Sequence, residues 1–312
     1  MAPGTPPTFS VIVETDNLAA LDLDELRRCL DTLDRQGALL READRVVVAD
    51  GGVVPDSVLQ ELTRRYPWLT ILRADAGASY IALKSEGVRQ SPSDVIVFCA
   101  SDVQYEPGWL AALLEGFQKR PESDVIAGET TTRISGPYSL AVALTFNFPR
   151  FTGESELAPS ATYWANNLAA RRTTLERTPL PDPSGLFRAQ SAVHVNRILA
   201  EGGVILRQPA ARGWHAVLPP RKILRRYFAL GRDAGAIRRI TTAESGRPYL
   251  GTMAPDPPNS GVRGRLSSRL RQVARSQPSS LAWLPLSLPI LALLGIAYVC
   301  GRVSYGRVPV HS

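Results

Sequence analysis

Short apolar runs rich in β-branched residues alternate with amphipathic stretches over residues 9–130, and this rhythm constrains the fold more than any other feature of the chain. Phe9–Glu14 (FSVIVE), Arg45–Asp50 (RVVVAD), Leu69–Ala74 (LTILRA), Asp94–Ala100 (DVIVFCA) and Asp124–Thr130 (DVIAGET) are near-continuous apolar runs. That is the pattern of strands buried in a sheet with both faces covered. Between the first two, Leu23–Gln36 carries Leu23, Leu26, Leu30 and Leu33 in a helical stripe. Ser57–Tyr66, Tyr80–Gln90 and Pro107–Gln118 supply further helices, the last with proline in its first turn, where a missing N–H costs nothing. The order predicts an α/β fold with a mainly parallel central sheet, which binds ligands beyond the carboxyl ends of its strands. Those ends carry Thr15-Asp16-Asn17, Asp50, Ser101-Asp102 and Glu129.

The second constraint lies at the other end. Leu281–Gly301 is an uncharged stretch (LAWLPLSLPILALLGIAYVCG), close to the ~20 residues a helix needs to cross a hydrocarbon core. Arg263, Arg265, Arg269, Arg271 and Arg275 precede it, and Arg302 and Arg307 follow. This bias expects the N-terminal part on the cytoplasmic side of an inner membrane. Pro285 and Pro289 leave a kinked or re-entrant segment open beside a straight span. Charge is distributed to match. From residue 221 onward the chain holds 15 basic and 3 acidic residues, against 21 and 26 before it. Arg221–Ile240 alone has seven basic residues and one acidic, with Ile223, Leu224, Tyr227, Phe228 and Leu230 between them. This is the pattern of an interfacial helix on an anionic membrane surface. An ordinary solvated helix packed on the domain has the same composition. No nucleic-acid module accompanies the basic residues, so nucleic acid is not an expected partner.

The Pro-, Ser- and Arg-rich stretch 241–278 is expected to be a linker. The expected organisation is a folded domain over 1–240, that linker, and a membrane segment with a short tail over 279–312, its span about 281–301. Cys29, Cys99 and Cys300 fit neither a metal spacing nor a disulfide framework, which points to a reducing compartment. Met1–Pro7 does not resemble a signal peptide. No Gly-x-Gly-x-x-Gly follows the first strand and no Gly-Lys-Ser/Thr occurs, which disfavours a dinucleotide dehydrogenase and a P-loop enzyme.

Two strand ends carry chemistry. Asp50 before Gly51-Gly52 suits a turn, or a carboxylate that accepts from a nucleobase N–H. Asp102 follows the apolar run Val95–Cys99 and precedes Tyr105-Glu106-Pro107-Gly108-Trp109. There it can hold a divalent cation that neutralises a diphosphate leaving group, or satisfy free N–H groups at a helix start.

Together these segments resemble a family 2 glycosyltransferase of the GT-A fold, in a bacterial membrane-associated branch. FSVIVETDN, VVVADGG, DVIVFCASDVQYEPGWL, YWANNLAARR and GVILRQPAARGWHA occur in that family's order over residues 9–240. Gly128–Phe151 also looks like a stretch of one bacterial branch. The resemblance implies an enzyme that moves a sugar, with inversion, from a nucleotide-sugar donor to a sugar or lipid-linked acceptor of the cell envelope, using Mn²⁺ or Mg²⁺. It assigns Thr15, Asp50, Ser101 and Asp102 to the donor and Asp102 and His215 to the metal. Two departures stand out. The first aspartate of the DxD motif is Ala100, which removes a carboxylate expected to hold the donor's ribose or the metal. The usual Glu-Asp pair that takes the acceptor's proton is absent around Ser191–Gly203, leaving Asp182, Glu129 and His194 as candidate bases. Both departures also fit a relative that binds nucleotide-sugar or a partner enzyme without turnover.

Overall fold

The computed structural model describes residues 7–16, 18, 22–145, 148–182, 186–245 and 262–305. The apolar runs form β1 (Phe9–Glu14), β2 (Arg45–Asp50), β3 (Leu69–Arg73), β4 (Val95–Ala100) and β6 (Val125–Thr132). The sheet order is β3-β2-β1-β4-β8-β6-β9-β5, with β7 (Ala158–Pro159) paired to β9. β3, β2, β1 and β4 are parallel neighbours. β8 (Asn167–Arg171) then enters antiparallel between β4 and β6, and β9 (Ile205–His215) runs parallel to β6. The amphipathic stretches become α1 (Leu23–Asp34), α3 (Asp56–Arg65), α4 (Tyr80–Gln90) and α5 (Trp109–Lys119), with a short turn α2 (Ala38–Arg41). The leucine stripe of α1 is buried through Leu26, Leu30 and Leu33. Pro107 precedes α5 instead of opening it, because Gly108 caps the helix at φ 79°, a left-handed turn that an L side chain resists.

Alternation along each strand splits the core. Phe9, Val11 and Val13 of β1 join Val95, Val97 and Cys99 of β4 beneath α1 and α5. Ile12 joins Ile96 and Phe98 on the opposite face with α8 (Gln190–Ala200). A short α7 (Arg172–Arg177) follows β8.

The β5 strand (Val103–Tyr105) pairs antiparallel with β9, and two buried residues fasten this corner. Tyr105 Oη donates to Asn166 O at 2.6 Å and accepts from Ala100 N at 3.1 Å. Asn167 accepts from Trp109 Nε1 at 2.7 Å and donates to Glu129 O at 3.0 Å and Ala211 O at 3.1 Å. Asn167→Ala strands an indole N–H and two carbonyls in a dry interior. It is expected to lower unfolding free energy by about 3 kcal/mol, seen as a lower denaturant midpoint at unchanged slope.

The C-terminal third is helical. α9 (Pro220–Ser245), α6 (Pro137–Thr145), α10 (Val262–Ser276) and α11 (Leu284–Tyr305) pack together, with a 3₁₀ turn Pro278–Trp283 ahead of α11. Of the five apolar residues of α9 expected to face lipid, Ile223, Tyr227 and Leu230 are buried against Leu294 of α11 and Ala141 and Val142 of α6, while Leu224 and Phe228 are exposed. The sequence could not show this, because the covering partner arrives about 60 residues later. Gly231 and Gly301 let α9 and α11 touch, since a Cβ at either would overlap facing backbone at Tyr298 or Phe228. The helix continues through Pro289. Part of the expected linker is also ordered: Val273 of α10 is buried beside Leu140 and Leu144. Residues 246–261 lie outside those described.

Candidate active site

The β5–β9 pairing builds the centre of the site. Val103 is in register with His215, so the residue before Val103 stands beside the imidazole. Ala216 N donates to Asp102 O at 2.8 Å, and His215 Nε2 lies 3.2 Å from Asp102 Oδ2. Both side chains are buried. Burial alone would raise the Asp102 carboxyl. The charge and hydrogen bond of His215, with Arg226 and Arg188 further off, outweigh it and hold the group below the usual carboxylate value. Phe148 packs on the His215 ring at 4.7 Å between centroids. Next to Asp102, the buried Ser101 hydroxyl has no hydrogen-bond partner among the described residues.

His215 opens onto a pocket whose polar lining includes Glu14, Lys84, Asn166, Arg188, Ser191 and Arg226, and whose aromatic walls are Tyr80, Phe148 and Trp164. Two of its cations come from segments that sequence reasoning assigned elsewhere. Arg188 lies in the loop before α8, donates to Asp16 Oδ2 at 2.6 Å and sits 4.5 Å above the Tyr80 ring. Asp233 of α9 holds that loop by accepting from Phe187 N and Arg188 N at 2.8 and 2.7 Å. Arg226 belongs to the basic face of α9, and burial pushes its guanidinium down to about 10. Lys84 is buried on α4 and donates to Cys99 O at 2.6 Å; burial lowers its pKa. Glu14, at the end of β1, is pushed up to about 7 by burial, against the pull of Lys84 and Arg188.

The residues singled out from sequence are distributed unevenly around this pocket. Thr15 and Asp50 meet: Thr15 Oγ1 donates to Asp50 Oδ1 at 2.7 Å. Asp50 also accepts from Gly52 N at 3.0 Å, Val54 N at 3.1 Å and Arg73 Nη1 at 2.5 Å. Its carboxylate therefore shapes the turn after β2, and a base contact there would displace the Arg73 guanidinium. Glu129 lines a smaller neighbouring pocket with Arg150, Thr162 and Arg207. It accepts from Thr152 N and Oγ1 at 2.9 and 2.5 Å, and burial raises its pKa. Asp182 is exposed, accepting from Ser79 Oγ at 3.1 Å at the start of α4.

His194 is not brought to the pocket. It is buried on α8 between the Tyr163 hydroxyl at Nδ1 and Thr178 O, 2.5 Å from Nε2. Burial depresses its pKa from 6.5 to about 4. The unfolded chain therefore binds a proton below pH 6.5 that the folded chain refuses until about pH 4. Stability is expected to fall by about 3 kcal/mol across that window and then level off. A His194→Gln variant should lose this part of the slope in a series of denaturant melts at stepped pH.

A resident divalent metal fits this arrangement in one form. No group of three His, Cys, Asp or Glu side chains gathers among the described residues. Asp102 and His215 offer one oxygen and one nitrogen, so a cation would draw its other ligands from a diphosphate and water, as small divalent ions at phosphate sites commonly do.

Comparison with known proteins bears on the fold and the family. No curated protein sequence matches the chain. Its structure is similar to the mannosyltransferase PcManGT from Pyrobaculum calidifontis in complex with GDP-Man and Mn²⁺, at 18% identity and a TM-score of 0.59, covering 97% of this chain and 88% of that one. It is also similar to S. aureus TarS 1-349, at 14% identity and a TM-score of 0.55, covering 98% and 93%. GalNAc-T7 with UDP, GalNAc and Mn²⁺ shares 12% identity at a TM-score of 0.56, covering 88% of this chain and 59% of that longer one. These likenesses establish the GT-A fold. The family profile described as Glycosyl transferase family 2 matches residues 10–190, more than half of the sequence, and the chain belongs to that family of glycosyltransferases.

Proposed function

We propose that this glycosyltransferase works at a membrane, taking a sugar from a nucleotide-sugar and passing it with inversion to a sugar or lipid-linked acceptor of the cell envelope, with its catalytic domain facing the cytoplasm. One observation carries the donor half: His215, paired with the buried Asp102, opens on a pocket flanked by the cations Arg188 and Arg226. Fixed positive groups aimed at a departing diphosphate stabilise the charge that grows there as the glycosidic bond breaks. Asp102 and His215 would hold the divalent ion, which when bound adds Lewis-acid neutralisation of the same charge. Tyr80, Phe148 and Trp164 provide apolar walls that exclude water from the sugar. Among the sequence candidates for the base, Asp182 keeps the exposure needed to receive a proton from an incoming acceptor, and Glu129 suits a role in holding that acceptor.

The membrane half rests on α11, the one helix among the described residues long and apolar enough to cross a bilayer. The test is incubation of the full chain in native membranes with radiolabelled nucleotide-sugars and Mn²⁺. Transfer of label into a lipid-extractable or polymeric product is expected. Label released only as free sugar, or not at all with any donor, would refute the reading.

A further inference from the structure

Ala100 lacks the carboxylate expected at the first position of the DxD motif, yet a carboxylate stands beside it. In the parallel pairing of β1 with β4, Glu14 is in register with Ala100. Residues in register on parallel strands project to the same face of the sheet, about 4.8 Å apart. Ile12 on β1 shares a core cluster with Ile96 and Phe98 on β4, which sets Glu14, the next position in that series, on the same face, while the Ala100 methyl at the end of β4 packs with Val13 and Cys99 in the other cluster. A glutamate at the end of its strand is long enough to carry its carboxylate, at the level of Ala100, into the pocket that Glu14 lines. Glu14 is 1% exposed yet lines the pocket, and it is the acidic residue of that lining. β1 ends there, and Thr15 turns toward Asp50.

We propose that Glu14 takes the place of the missing carboxylate, accepting hydrogen bonds from the ribose diol of the bound nucleotide. The surroundings favour a diol over a metal. Lys84 and Arg188 line the same pocket as Glu14, and two fixed cations beside the carboxylate make it a poorer seat for a metal ion than for a neutral donor. Glu14 also does not join Asp102 and His215 in a metal-binding group. Hydroxyl donors carry no net charge and suit a buried carboxylate already balanced by Lys84 and Arg188. The carboxylate has moved from one strand to its neighbour while keeping its level along the sheet. This inference rests on the nucleotide-sugar reading above.

The test is calorimetry on the detergent-solubilised full chain with Mn²⁺, using UDP and GDP and the 2′,3′-dideoxy form of whichever binds. Glu14→Gln keeps the shape and removes the charge. It is expected to weaken binding of the ribonucleotide about tenfold and leave the dideoxy form unchanged. Ala100→Asp in the Glu14→Gln background should restore most of that loss, which a variant that merely misfolds would not do. Ribonucleotide binding by Glu14→Gln at wild-type strength, or an equal loss for the dideoxy form, would overturn the assignment to ribose while leaving the nucleotide-sugar reading intact. If the wild type binds neither UDP nor GDP, both fall.

Discussion

An Asp102→Ala variant is expected to lose Mn²⁺-dependent nucleotide binding and about 10²–10³-fold of its transfer rate. The reason lies in the charges that converge on this carboxylate. It is buried, and it is held ionised against that burial by His215 and, further out, Arg226 and Arg188. Removing it leaves an imidazole and two guanidiniums around the pocket with one fewer anion. A divalent cation then meets a single nitrogen ligand and the repulsion of two guanidiniums. An Asp102→Asn variant separates the two contributions. The amide keeps the volume and can still bond to His215, so folding should survive, yet it is a poor ligand and neutral. Transfer should fall nearly as far as in the alanine variant, while the thermal midpoint stays closer to wild type. Calorimetry with nucleotide-sugar in Mn²⁺ and in chelator reads the binding, and single-turnover transfer reads the rate. Equal nucleotide affinity for wild type and Asp102→Ala in Mn²⁺ would remove Asp102 from the donor site.

The strands and helices of the first half were legible because each is a local pattern: a buried parallel strand is an unbroken apolar run, and α1 shows its stripe in four leucines. Asp102 was legible for the same reason, as the polar residue ending the apolar run of β4. His215 could be named only through the family resemblance. What joins it to Asp102 is β5, a strand of three residues inside a segment whose sequence shows turn and helix signals. A pairing that short is decided by its partner β9 and leaves little trace in its own residues. The other pocket groups were hidden by position. Arg226 sits among basic residues that look alike in composition, and only the rotation of α9 selects it. Arg188 depends on Asp233, 45 positions later, to hold its loop. Glu14 was read as the last residue of a strand, and its meaning appears only when the register sets it beside Ala100. His194 misled in the opposite direction, since a histidine on a helix gives no sign in sequence of whether both its nitrogens will be enclosed.

Replacing Leu286, Leu293, Ile296 and Val303 together with glutamine is expected to move the protein from the membrane fraction to the soluble fraction without unfolding it. These four side chains, with Leu288 and Val299, are each more than half exposed and lie on one side of α11. The other side is committed to the domain: Leu294 and Gly301 are buried against α9, and Ser287 Oγ donates to Pro137 O of α6 at 2.8 Å. Deleting α11 outright would therefore be a poor test, because it would uncover Ile223, Tyr227 and Leu230 and invite aggregation for reasons unrelated to lipid. Substitution on the outer face leaves that packing in place. Each large apolar side chain taken out of water is worth about 2 kcal/mol, so four of them account for roughly 8 kcal/mol of membrane affinity, enough to shift a bound protein to an unbound one. The exposed cations Arg221, Lys222 and Arg225 on α9 add electrostatic attraction to an anionic leaflet that high salt should weaken. Sedimentation with anionic vesicles, read alongside the thermal midpoint, checks both effects. Retention of the quadruple variant on vesicles in high salt, with an unchanged midpoint, would show that the outer face of α11 is not what meets the lipid.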